Sequence, residues 1–153
     1  MALKLLKKKN YLTMIENSTK GPSYLFRNLY AEIDGKEVDI AQNGLNACAI
    51  MASHILFHFK FIDDLRATVD SLERDLRASG WYVITDLKEG AVIIWEPQPG
   101  HDGQMHRHVG FYVGNKMAVS NDSKGTGFPW KHHYTYDKTR KIEKIYWHPA
   151  LDN

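Results

Sequence analysis

From Ala47 to Phe59 the chain reads Ala-Cys-Ala-Ile-Met-Ala-Ser-His-Ile-Leu-Phe-His-Phe, interrupted by polar side chains only at Ser53, His54 and His58. A run of this length falls short of the roughly 20 apolar residues that cross a bilayer. As a helix it is apolar on nearly every side, so it belongs inside a protein core rather than on its surface. Asn46 stands where an N-cap would start it. The rest of the chain has to wall this helix in. Asp63 or Asp64 starts a second helix, with Leu65, Val69, Leu72 and Leu76 on one face and Gly80 as its stop.

Beyond Gly80 the chain reads as strands. Trp81–Thr85 is rich in β-formers, and Ala91–Trp95 is a continuous apolar run of the kind found in a central strand. His108–Val113 and Lys116–Asn121 flank a Gly114-Asn115 turn, and Ile142–His148 alternates as a last strand. Upstream, Asp34-Gly35 joins Leu29–Ile33 to Lys36–Ile40 as a hairpin. Residues 97–107 read as an exposed Pro/Gly loop and 122–140 as a long irregular stretch. Residues 1–20 read as a loosely attached basic arm or a short helix, and 21–153 as one domain. The order of helix, helix, then antiparallel strands predicts an α+β domain with helices on one side of a sheet.

Charge narrows the function classes. The chain has 20 Lys and Arg against 18 Asp and Glu, and Lys4, Lys7, Lys8 and Lys9 sit in the first nine positions. Without them acids outnumber bases, so a surface for nucleic acid is not expected. Nor is a membrane span. Asn10, Glu16 and Asn17 interrupt the stretch that would continue a basic signal-peptide start, so no secretory signal is read. The expected location is cytoplasmic as synthesised, with export by a non-signal route or release by lysis.

The one cysteine, Cys48, excludes an intrachain disulfide and a cysteine-only zinc site. Three readings remain for it: inert packing, part of a mixed metal site, or a nucleophile. The first turn of a buried helix offers free N–H groups and the positive end of the helix dipole, which favour a thiolate. His108 opens its strand, and alternation puts it on one face with Gly110 and Tyr112, away from Val109, Phe111 and Val113. An imidazole there, open beside Gly110, suits a base that takes the thiol proton and returns it to a leaving amine. The bland alternative is a surface histidine at a strand edge. A third group has to orient the ring. Asn121 is one candidate and Ser120 or Asp122 another, because a one-residue register change swaps faces. His101, His106 and His108, with His132, His133 and His148 later, raise a zinc site, but none of the strong ligand spacings is present. Trp95, Trp130 and Tyr134 line a groove or pack.

The order of these segments resembles the NlpC-type and CHAP-type cysteine hydrolases, compact papain-like enzymes of bacterial cell-wall metabolism. The likeness spans about residues 40–121: a cysteine opening a buried helix, a second helix, Glu89-Gly90-Ala91-Val92-Ile93-Ile94-Trp95, and then His108-Val109-Gly110-Phe111-Tyr112-Val113-Gly114-Asn115. It implies a papain-like fold, Cys48 as nucleophile, His108 as base, and Asn121 or Ser120 as the orienting group. It also implies an oxyanion hole that includes the Cys48 N–H, and a tyrosine near substrate that Tyr24 or Tyr30 would supply. The chain departs from the family at Ala47-Cys48-Ala49-Ile50, where Asp-Cys-Ser-Gly is usual, and at Gly90-Ala91 in place of Gly-Asp. The resulting expectation is a cysteine peptidase or amidase acting on a peptidoglycan stem peptide or similar short amide, with no metal or organic cofactor. Two alternatives stand beside it: an inactive binding domain on the same fold, and a histidine-ligated zinc hydrolase.

Overall fold

The apolar run forms helix α2, Cys48–His58, and its neighbours enclose it as expected: seven of its eleven residues are buried. The structure, a computed structural model, describes residues 1–152. Before α2 come helix α1 (Lys7–Asn17) and a two-stranded hairpin of β1 (Tyr30–Ile33) and β2 (Lys36–Asp39). After it come helix α3 (Val69–Ala78), β3 (Tyr82–Ile84), β4 (Val92–Pro99), β5 (Met105–Gly114), β6 (Met117–Asn121), β7 (Pro129–His133) and β8 (Ile142–Trp147). Strands β3 to β8 make one antiparallel sheet in the order β3-β8-β4-β5-β6-β7. The class is α+β. Among the described residues no helix is long and apolar enough to cross a membrane. Tyr11 and Ile15 of α1, the inner residues of α2, and Leu72 and Leu76 of α3 share one core with Val92, Ile94, Val109, Phe111 and Val119. The opposite face of the sheet has a second, smaller core of Ile93, Trp95 and Ala118, covered by Tyr134, Tyr136 and Ile142.

Several expectations need correction. Of the two readings of residues 1–20, the short helix holds as α1 and the loose arm does not: Tyr11 and Ile15 are fully buried, and the Tyr11 hydroxyl donates to the Gly90 carbonyl at 2.8 Å. The second helix starts at Val69 rather than at Asp63 or Asp64. The Asp75 carboxylate accepts from the Asp63 and Asp64 N–H groups and from Arg66 Nε, which draws 63–66 into a loop. Thr68 and Ser71 then cap the helix reciprocally. Asn46 does not cap α2. Ala47 holds that position, and Asn46 donates to the Ile40 carbonyl instead. The loop expected over 97–107 shrinks to 100–104, because β4 and β5 pair as far as Pro99 and Met105. Within 122–140 lies β7, whose Trp-Lys-His-His sequence carries no apolar alternation to betray it.

Gly110 marks a tight approach within the sheet, where β5 runs between β4 and β6. A Cβ there would lie 2.5 Å from the Val119 carbonyl oxygen, 2.7 Å from Ser120 Cβ and 3.1 Å from the Trp95 ring. Gly110→Ala is therefore expected to cost about 3 kcal/mol by overpacking, read as a lower urea midpoint with an unchanged slope.

Candidate active site

Cys48 and His108 meet at one cleft. Its volume is about 730 Å³, and Asn46, Ala49, Asn121, Asp122, Lys124, Trp130, Tyr136 and Arg140 also line it. Cys48 reaches it from the start of α2. Its sulfur faces the backbone N–H groups of Val109 and Ala49 and its own. It therefore lies one residue along from His108 in β5. No thiol–imidazole hydrogen bond joins the two among the described residues.

The expected depressed thiol pKa is not what the surroundings produce. Burial outweighs the N–H groups and the nearby Arg140 charge, and the thiol titrates above its usual 9.0. His108 shifts the other way, well below 6.5, because it is buried and the charges of Arg140, His132 and Lys124 oppose its own. The resting pair at neutral pH is a thiol and a neutral imidazole. His108 is also not an open surface residue. It is 7% exposed, packed between Trp95 and Tyr136.

The register Gly110↔Ser120 puts Ser120 on the His108 face of the sheet. His108 Nε2 lies 3.0 Å from the Ser120 hydroxyl. That hydroxyl also meets His132 Nε2 at 2.8 Å and the Tyr136 hydroxyl at 2.8 Å. These contacts fix where the protons are. His132 Nδ1 is 2.8 Å from the His133 carbonyl, which can only accept, so Nδ1 carries the His132 proton. Burial first of all lowers the His132 pKa to about 4, so its Nε2 is a bare acceptor at neutral pH. Ser120 spends its one proton on that nitrogen and accepts from Tyr136 and from His108 Nε2–H. The tautomer of His108 is thereby set: Nε2 is protonated and Nδ1 is free, with no protein partner among the described residues. Desolvation also raises the Tyr136 pKa well above its usual 10.0, which keeps its phenol a donor.

Both buried histidines have folded pKa values below the unfolded 6.5, so the unfolded chain binds protons more readily. Stability is full above pH 6.5 and declines as pH falls toward each folded value. For His132 alone the loss between pH 6.5 and 4 is about 3 kcal/mol. Urea unfolding at pH 7 and pH 4.5 should show a larger drop for the protein than for its His132→Gln variant.

Asn121 is not on the imidazole. Its amide donates to the Gly44 carbonyl at 2.7 Å and to the Ser123 hydroxyl at 3.1 Å, while its buried Oδ1 has no partner. It thereby ties the loop that leads into Cys48 to the end of β6. Gly44 and Gly127 reinforce the tie, because a Cβ on Gly44 would collide with the Gly127 backbone. Asp122 holds the next turn through the Thr126 N–H and hydroxyl. Trp95 is fully buried and donates to the Tyr134 carbonyl, so both pack, whereas Trp130 lines the cleft. Tyr24 and Tyr30 are exposed and outside the cleft. His106 pairs with Asp102 at 2.9 Å at the cleft rim, and His148 bonds the Ser79 carbonyl. Among the described residues no three His, Cys, Asp or Glu side chains converge to hold a metal ion. Sequence raises His132 only as a zinc ligand, and Tyr136, Arg140 and Lys124 not at all. They lie between 122 and 140, where no periodicity points to them. No protein-family model matches the chain, and no curated protein sequence matches it.

Proposed function

We propose that the protein is a papain-like cysteine hydrolase that cleaves an amide bond, with a peptidoglycan stem peptide or a similar short peptide as substrate. The observation that carries this reading is the contact of His108 Nε2 with the Ser120 hydroxyl at 3.0 Å, which leaves Nδ1 without a protein partner beside the cleft that Cys48 also lines. A neutral imidazole held through Nε2–H by Ser120, with Nδ1 bare, opens on the same cleft as a thiol at a helix N-terminus. The thiol proton passes to His108 Nδ1 as the sulfur attacks the carbonyl carbon. The oxyanion is met by the Cys48 N–H, which no intrahelical bond consumes. His108 then gives its proton to the leaving amine, which leaves a thioester on Cys48. Water, with His108 as base, hydrolyses it.

Ser120→Ala leaves the His108 Nε2–H unpaired and its ring free to turn, and should lower kcat/KM about a hundredfold with a smaller change in KM. Because His108 must be neutral to take the proton, activity should persist as pH drops below 6.5 and fade only near its lowered pKa. A pH profile half-lost at or above 6.5 would contradict this. The direct test is release of new amines from purified peptidoglycan and from synthetic stem peptides. The intact protein should release them and Cys48→Ala should not. If neither substrate yields amines, the substrate class is wrong.

A further inference from the structure

Among the described residues Arg140 is a buried cation that no carboxylate pairs. It is 8% exposed and lines the cleft beside Cys48. Its Nε donates to the Glu96 carbonyl at 3.0 Å and its Nη2 to the His106 carbonyl at 2.8 Å. A guanidinium has five N–H donors, so three remain, all at the Nη1–Nη2 end of the fork. No carboxylate bonds them among the described residues. The Glu96 side chain is near enough to attract the charge, but its Oε1 accepts from the Lys141 N–H. The other deeply placed arginine, Arg107, shows what the fold does with a structural charge: it pairs with Asp70, Glu73 and Glu143. A charge buried without a partner is costly. Here a second cation aggravates the cost, because Lys124 lines the same cleft and stands close enough for Arg140 to oppose its protonation. Asn121, on the wall of the same cleft, likewise keeps a buried Oδ1 without a partner.

Resting on the hydrolase reading, we infer that the substrate carries a free carboxylate next to the scissile amide, and that Arg140 binds it end-on through Nη1 and Nη2 with Lys124 adding charge. The planar, two-oxygen carboxylate matches the free end of the guanidinium fork. The two backbone carbonyls that hold Nε and Nη2 set the fork's plane before substrate arrives. Specificity comes from the same source. A substrate whose carboxylate is amidated leaves three donors unpaired in a desolvated site, a larger penalty than a lost surface contact.

The test uses two alkylating agents of nearly equal size, iodoacetate and iodoacetamide, reacted with the intact protein. The ratio of their rates at Cys48 cancels the thiolate fraction. Iodoacetate should saturate with concentration, succinate should compete with it, and the ratio should fall about tenfold or more in Arg140→Gln and several-fold in Lys124→Gln. Inorganic phosphate should compete less well than succinate, and equal competition would replace the carboxylate with a general anion site. Should Arg140→Gln fail to fold, saturation by iodoacetate and the ratio in Lys124→Gln, an exposed position, decide the matter. A linear, uncompeted iodoacetate rate together with an unchanged ratio in Lys124→Gln overturns the carboxylate site while leaving the nucleophile intact. No alkylation of Cys48 by either agent, at any pH up to about 10, the reach of an ordinary thiol titration, overturns the hydrolase reading instead.

Discussion

Replacing Cys48 by alanine should lower amide hydrolysis by about ten-thousand-fold or more, with little change in the unfolding midpoint. The residue is only partly exposed and its sulfur makes no hydrogen bond to a side chain, so its removal takes away chemistry and little packing. His108→Ala should cost nearly as much, and the double variant should be no worse than either alone, because nucleophile and base act as a unit. Turnover on stem peptides by the three variants, with urea midpoints measured in parallel, reads both halves of this prediction. Additive losses would mean that the two groups work independently.

The largest stability loss is expected from Trp95→Ala, at about 4 kcal/mol. Trp95 is fully buried and donates to the Tyr134 carbonyl at 2.7 Å. Its ring packs on His108, His132 and Tyr136. Its loss opens a cavity on the sheet face opposite the helices and unseats the segment that carries Tyr136 and Arg140. Activity should therefore fall further than the melting shift explains. Trp95→Phe fills most of the space but leaves the Tyr134 carbonyl without its donor, and should recover more stability than activity. Thermal and urea unfolding of both variants, set beside kcat/KM, check this.

The scaffold of this site was legible where side-chain period and turn chemistry spoke with one voice. The all-apolar run at α2, the Asp34-Gly35 hairpin, the Gly80 stop and the β4 to β6 strands each rest on a local signal strong enough to survive packing. The alternation within β5 placed His108 and Gly110 on one face, and Ser120 stood among the candidates because it is polar and at the end of the next strand. Choosing Ser120 over Asn121 needed the register Gly110↔Ser120, which no single strand encodes. The rest was hidden for physical reasons. The lysines at 7–9 mask the short apolar stripe of Tyr11, Leu12, Met14 and Ile15, and the bond from Tyr11 to Gly90 is too distant in the chain for local pattern to show. His132, Tyr136 and Arg140 become site residues only because β7 and the segment after it fold back over the second face of the sheet. The thiol's raised pKa was equally hidden. A helix N-terminus favours the thiolate, but enclosure by the sheet works against it more strongly.

Everything proposed for Cys48 depends on His108 holding its proton on Nε2 and presenting a bare Nδ1. Two-dimensional ¹⁵N NMR of the imidazole rings, recorded from pH 8 down to pH 5 before and after alkylation of Cys48, reports that directly. The expected result is the Nε2–H tautomer for His108 at neutral pH, protonation only well below pH 6.5, and a shift of its Nδ1 resonance when Cys48 is alkylated. A proton on Nδ1 at neutral pH, or a His108 signal that ignores alkylation of Cys48, would contradict it.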